Sequence, residues 1–166
     1  RADTATEPDP TPAVHTYQLQ FSRPAMACEF AVYLNAGQYE HGPEVALDAL
    51  DQLETFEQQL SIYRETSEVR QINAQAALEP VRVETRLYAL LRQSQRLALD
   101  TAGAFDITSE PLSRTWGFSR RAGAIPADDD LRHALACVGS QFLRFDDQAE
   151  TVAFDRPGLE IGLGSI

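Results

Sequence analysis

Two alternating stretches open the patterned part of the chain. Residues 17–23 and 28–34 place apolar and polar side chains in turn and are rich in β-formers, which predicts two strands joined across Pro24. The period then changes. From residue 44 to 60 the apolar positions Ala46, Leu50, Leu53, Phe56 and Leu60 recur at helical spacing, with Pro43 just ahead of the start. A short helix is predicted from Thr66 or Ser67, either of which can cap it, to about Asn73. Leu87, Leu90, Leu91, Leu97 and Ala98 mark a second long helix over 85–101, closed by Gly103. A third follows Pro126 and ends by Gly139, with Asp128, Asp129 and Asp130 at the positive end of its dipole. Consecutive helical carboxylates point in different directions, which favours a helix start over a metal site for this triplet. Strand-like runs at 142–146, 151–155 and 159–163 complete the pattern.

The order is strands, then helices, then strands, without strict alternation. It predicts an α+β fold, with an antiparallel or mixed sheet and packed helices, rather than a doubly wound sheet. No internal repeat is visible. Residues 1–15 are polar, carry Pro8, Pro10 and Pro12, and lack the basic and apolar halves of a signal peptide. They read as a disordered leader or linker ahead of one folded portion over 16–166. At the other end LEIGLGSI runs into a glycine-rich turn, so the fold is expected to be incomplete there and the chain to be part of a larger protein.

Composition narrows the function. Hydrophobic residues make up 43% of the 166 and charged residues 23%, which excludes a wholly disordered chain, a collagen and a small disulfide scaffold. No apolar run approaches the roughly 18 residues of a membrane span, so no transmembrane segment is expected. There are 25 acidic residues against 14 basic ones, for a formal charge of −11. A net negative surface repels phosphate backbones, so no nucleic-acid partner is expected. Every basic residue is arginine, which excludes Schiff-base or P-loop lysine chemistry within this stretch. Cys28 and Cys137 are compatible with one disulfide in an oxidising compartment, but no CxxC or Cys/His cluster suggests a metal site. Cys28, in an alternating apolar segment, reads as a buried free thiol. His15, His41 and His133 are isolated and are not expected to be catalytic.

Three segments combine turn residues, hydroxyls and aromatics more densely than a core requires. They are PAMACEF at 24–30, LSIYRETSEVRQIN at 60–73 and DTAGAFDITSEPLSRTWGF at 100–118. A flavin or nucleotide site needs such parts: backbone N–H groups at a turn, a flat aromatic face and a carboxylate for hydroxyls or ring nitrogens. Together with the closing 162–166, these segments resemble the FAD:protein FMN transferase family. Its members read MGT at an early strand, LSxYxxxSExxxIN after the first long helix, TxGAFDxTxxPLxxxWGF after the second, and then a strand leading into DLGGIxKGYAxD.

That resemblance implies an α+β enzyme that uses magnesium and transfers FMN from FAD to a threonine or serine of an acceptor flavoprotein, releasing AMP. A non-catalytic FAD-binding module and an FAD hydrolase are the alternatives. It implies a place on the periplasmic side of a bacterial inner membrane, with the cytoplasm as the alternative. It further implies FAD contacts at Met26, at Tyr63, at the Ala104–Phe105–Asp106 loop and at Gly162, and a backbone carbonyl for magnesium at Ser165. Plain readings stand beside these: strand-end packing for Met26, a half-buried surface aromatic for Tyr63, a turn with a capping Asp106, and core packing for Trp116. The pattern also departs from the family. Ala27 and Cys28 replace Gly-Thr, Gly162 lacks the carboxylate expected there, and residues 1–166 stop before KGYA. Ser165 offers one backbone oxygen to an ion that prefers six, so these residues alone are expected to bind magnesium weakly.

Overall fold

The computed structural model describes residues 17–26, 28–118 and 123–164. The leader expected at 1–15 lies outside them. The chain divides into two compact units, residues 1–54 and 55–166, and the boundary falls within a helix.

The first unit holds a hairpin of β1 (Gln18–Ala25) and β2 (Cys28–Asn35), paired antiparallel from Gln18–Asn35 to Ala25–Cys28. Pro24 does not separate the strands, as the sequence suggested, but sits within β1 opposite Glu29. An antiparallel pair exchanges hydrogen bonds only at alternate rungs, so a proline whose nitrogen faces outward is tolerated there. α1 (Gly42–Leu60) follows, with Ala46 and Leu50 buried at helical spacing. β2 alternates between exposed and half-buried positions and is nowhere fully covered. Cys28 is accordingly an exposed free thiol and not a buried one, and Cys137 is also free.

The second unit carries the main core. α2 (Glu68–Gln75), β3 (Val81–Arg82), α3 (Thr85–Asp100), α4 (Glu110–Thr115), α5 (Asp128–Ala136), β4 (Leu143–Asp146) and β5 (Thr151–Phe154) follow in order, with a 3-10 turn at Ser140–Phe142. The sheet order is β3-β5-β4, all antiparallel, so the α+β expectation holds. Val69, Ile72, Leu87, Leu91, Ile107, Val152, Leu159 and Ile161 are among the side chains that close the core.

Two details differ from the sequence pattern. β3 is only two residues long, too short for a period-2 signal, and rests on pairing with β5. Residues 159–163 are not a strand. Their alternation is real, with Leu159, Ile161 and Leu163 buried, but a ladder needs a partner backbone, and here the partner is largely a side chain. No helix among the described residues is long and apolar enough to cross a membrane.

Candidate functional site

The segment 60–73 is built by its serines. Ser61 Oγ accepts from the N–H groups of Tyr63 at 3.1 Å and Arg64 at 3.3 Å. Ser67 donates to the Ser61 carbonyl and caps α2 by accepting from Arg70 N–H at 3.0 Å. Leu60 and Ile62 pack against the core, while Tyr63 between these anchors is 66% exposed. Glu68 accepts from Glu84 N–H and from Gln59 at 3.0 Å, which ties the start of α2 to the start of α3. Near the end of α2, Asn73 grips Ile161 at both backbone groups. Its Nδ2 donates to the Ile161 carbonyl at 2.9 Å, and its Oδ1 accepts from Ile161 N–H at 2.8 Å. A side-chain amide here supplies the donor and acceptor that a neighbouring strand would.

The segment 101–108 follows α3. Ala102 and Gly103 both adopt left-handed backbone, φ 50° and 82°, and Gly103 N–H returns to the Ala98 carbonyl at 2.8 Å. Thr101 Oγ1 accepts from Phe105 N–H at 3.2 Å. Ala104 is left exposed, and Phe105 is half-buried against the core. Asp106 is engaged on both oxygens. Its Oδ1 accepts from Thr108 N–H at 2.8 Å, Thr108 Oγ1 at 2.7 Å and Ser140 Oγ at 2.6 Å, and its Oδ2 from Ser140 N–H at 3.0 Å. Burial works to raise the Asp106 pKa, but the hydrogen bonds from Ser140 and Thr108 outweigh it and hold the carboxyl below the usual aspartate range. Gln95 of α3 donates to the Ser140 carbonyl at 2.9 Å, so α3 positions the residue that completes this clasp.

The third segment meets the other two. Ile161 is held by Asn73 of α2, and Gly162 N–H donates to the Ile107 carbonyl at 2.8 Å, one residue beyond Asp106. A Cβ on Gly162 would stand 3.0 Å from a carboxylate oxygen of Glu110. The structure therefore joins the segments carrying Asn73, Asp106 and Gly162 by direct hydrogen bonds. It does not do the same for every expected residue. Met26 belongs to the first unit, at the hairpin tip, 39% exposed and at φ 49°. Ser165 lies outside the described residues. Trp116 is not core: it is at the surface, stacked nearly parallel on Phe118 with ring centroids 6.5 Å apart. The first unit also has a hollow of about 230 Å³ bordered by Leu19, Leu34, Tyr39 and Pro43, none of them a motif residue. Among the described residues no three His, Cys, Asp or Glu side chains gather to hold a metal ion.

Sequence reasoning missed the partners of these groups. Ser140 and Glu110 carry no local signal for contacts so far along the chain, and Asn73 was visible only as the end of a motif. A family model described as the ApbE family matches residues 25–166. The chain belongs to the ApbE family. An FAD:protein FMN transferase of Vibrio cholerae is 33% identical over 116 residues, covering 69% of this chain and 34% of that protein. One of Treponema pallidum is 33% identical over 127 residues, covering 71% of this chain and 35% of that protein. In structure the chain is similar to the ApbE protein of Thermotoga maritima, with a TM-score of 0.80 at 25% identity over 89% of this chain and 48% of the other. It is also similar to the flavin transferase ApbE from Vibrio cholerae, with a TM-score of 0.79 at 27% identity over 91% and 49%. The chain thus spans about a third of the length of these curated relatives and about half of the solved chains. Every ApbE motif segment quoted above falls within the matched residues, apart from Pro24 at its edge.

Proposed function

We propose that this protein acts as an FAD:protein FMN transferase and that residues 16–166 supply its flavin-nucleotide-binding part. The observation that carries the reading is the hydrogen-bonded junction of the α2 end, the Asp106 loop and the 159–164 segment, within a chain of the ApbE family. Tyr63 offers an exposed ring held by a tight serine-pinned turn, suited to stacking on a flat heterocycle. The Ala104–Asp106 loop lies beside Gly162, and the family resemblance adds Met26 as a flavin contact. In this reading the Asp106 side chain shapes the loop, since its oxygens are engaged by Thr108 and Ser140, and the loop meets the nucleotide through its exposed edge.

The reaction is a group transfer. A threonine or serine oxygen of the acceptor flavoprotein attacks the flavin-side phosphorus of FAD, and the bridging P–O bond breaks. AMP leaves with the bond electrons, and the hydroxyl proton passes to a base. Catalysis of such a step rests on positioning and on stabilising charge at the phosphoryl oxygens. Magnesium belongs to this reading through the resemblance. The described residues do not assemble a site for it and Ser165 lies outside them, so no step is assigned to the metal. A periplasmic location is part of the same proposal.

The test is a fluorescence titration of FAD into the full-length protein and its Tyr63→Ala variant. Loss of the ring should weaken binding by about 1–3 kcal/mol, the range of base–aromatic stacking. Unchanged affinity removes Tyr63 from the site. No FAD binding by the unmodified protein ends the flavin reading, whereas FAD bound without metal-dependent transfer of FMN to an acceptor and release of AMP favours a binding module.

A further inference from the structure

Glu110 and Arg114 stand one turn apart on α4, and Glu160 and Gly162 stand two residues apart on an extended segment. Four helical residues rise about 6 Å and two extended residues about 6.6 Å, so side chains on these two elements can meet rung for rung. They do. Arg114 Nη2 pairs with Glu160 Oε2 at 2.5 Å. On the next rung, Glu110 Oε2, Cβ and Cδ lie 3.0, 3.5 and 3.7 Å from the place a Cβ on residue 162 would take. The Arg114 pair fixes the register, and the missing side chain at Gly162 leaves room for the Glu110 carboxylate.

We propose that Glu110 is a ligand-binding residue of this site, reaching across Gly162 to present a carboxylate to the flavin nucleotide. The inference rests on the flavin reading given above. An ionised carboxylate only accepts hydrogen bonds, and a pyrophosphate brings only acceptors and negative charge. Glu110 therefore addresses the donor-bearing parts of the nucleotide, its ribityl or ribose hydroxyls or a ring N–H. The glycine at 162 and the glutamate at 110 form a coupled pair: a Cβ at 162 already presses on the Glu110 carboxylate, and a side chain as long as aspartate would compete with it for one place. The carboxylate missing from position 162 is delivered from α4.

The coupling gives the experiment. FAD is titrated into the full-length protein carrying Glu110→Gln, Gly162→Asp, or Glu110→Ala with Gly162→Asp, and each variant is melted thermally to compare folding. Glu110→Gln keeps the shape and a neutral carbonyl acceptor but loses the charge, and should weaken FAD binding roughly 3- to 10-fold, the difference between a charged and a neutral acceptor. Gly162→Asp crowds two carboxylates and should weaken binding as well. The double variant restores one carboxylate at that place and should bind FAD better than Gly162→Asp alone. FAD binding by Glu110→Gln equal to that of the unmodified protein overturns the role of Glu110, as does a double variant no better than Gly162→Asp. Failure of the unmodified protein to bind FAD instead overturns the flavin reading on which the inference stands.

Discussion

The two units of this chain use similar sequence patterns to different ends. In the first, a clean alternation over β1 and β2 yields a two-stranded ribbon with Tyr33 exposed and Ala25 buried, while α1 adds Ala46 and Leu50 as buried apolar side chains. In the second, weaker patterns end in a closed core whose segments are locked by single polar side chains, Asp106 and Asn73 above all. Alternation is therefore not sufficient for a buried strand. What distinguishes the second unit is that polar motif residues find partners far along the chain, which converts a loose arrangement of segments into a specific one.

The strongest way to break this contrast is at Asp106. Asp106→Ala removes the acceptor of four hydrogen bonds and leaves Thr108 and Ser140, both buried, without it. The expected cost is about 3–5 kcal/mol, read as a lower urea midpoint. The same group sets an acid limb. Its folded pKa is depressed, so its contribution is present above the ordinary aspartate pKa of about 3.9 and is lost as pH falls through the lower folded value. Asp106→Asn should flatten the loss of stability below pH about 4. An acid limb as steep as that of the unmodified protein would take Asp106 out of this role.

Asn73 sharpens the contrast, because its two bonds can be removed separately. Asn73→Ala loses both links to Ile161 and should cost about 2–3 kcal/mol, since it leaves a buried backbone N–H and carbonyl short of a partner. Asn73→Asp keeps the acceptor for Ile161 N–H but loses the donor, and it should fall between. Equal stability of all three proteins would show that 159–163 is held without Asn73, by its apolar side chains and the Gly162–Ile107 bond.

These residues mark how far the sequence could be read. The helices at 85–101 and after Pro126 were legible because apolar periodicity and caps are local. The motif segments were legible as a resemblance. The clasp of Asp106 on Ser140, the grip of Asn73 on Ile161 and the place of Glu110 over Gly162 were not, because each joins segments distant in the chain and no periodicity encodes such a meeting. Residues 159–163 show the same limit from the other side, since their alternation is real but their partners are the Asn73 side chain and a single backbone bond to Ile107 rather than a strand.

The smallest effect is expected in the first unit, at Met26. Its φ of 49° is left-handed, a conformation that costs a residue with a Cβ roughly 1–2 kcal/mol and a glycine almost nothing. Met26→Gly relieves that strain but also gives the unfolded chain more freedom, worth about 0.4–1 kcal/mol in the opposite direction. The net change should be a gain of no more than about 1 kcal/mol, because Met26 is 39% exposed and gives up little buried contact. In the proposed function the same substitution removes a side chain that touches FAD, so nucleotide affinity should fall while the urea midpoint holds or rises. Opposite movement of the two quantities is the signature of a strained residue kept for binding. A clear loss of stability in Met26→Gly would instead mean that the methionine packs the hairpin tip, and the contrast between a lightly held first unit and a clamped second one would fail there.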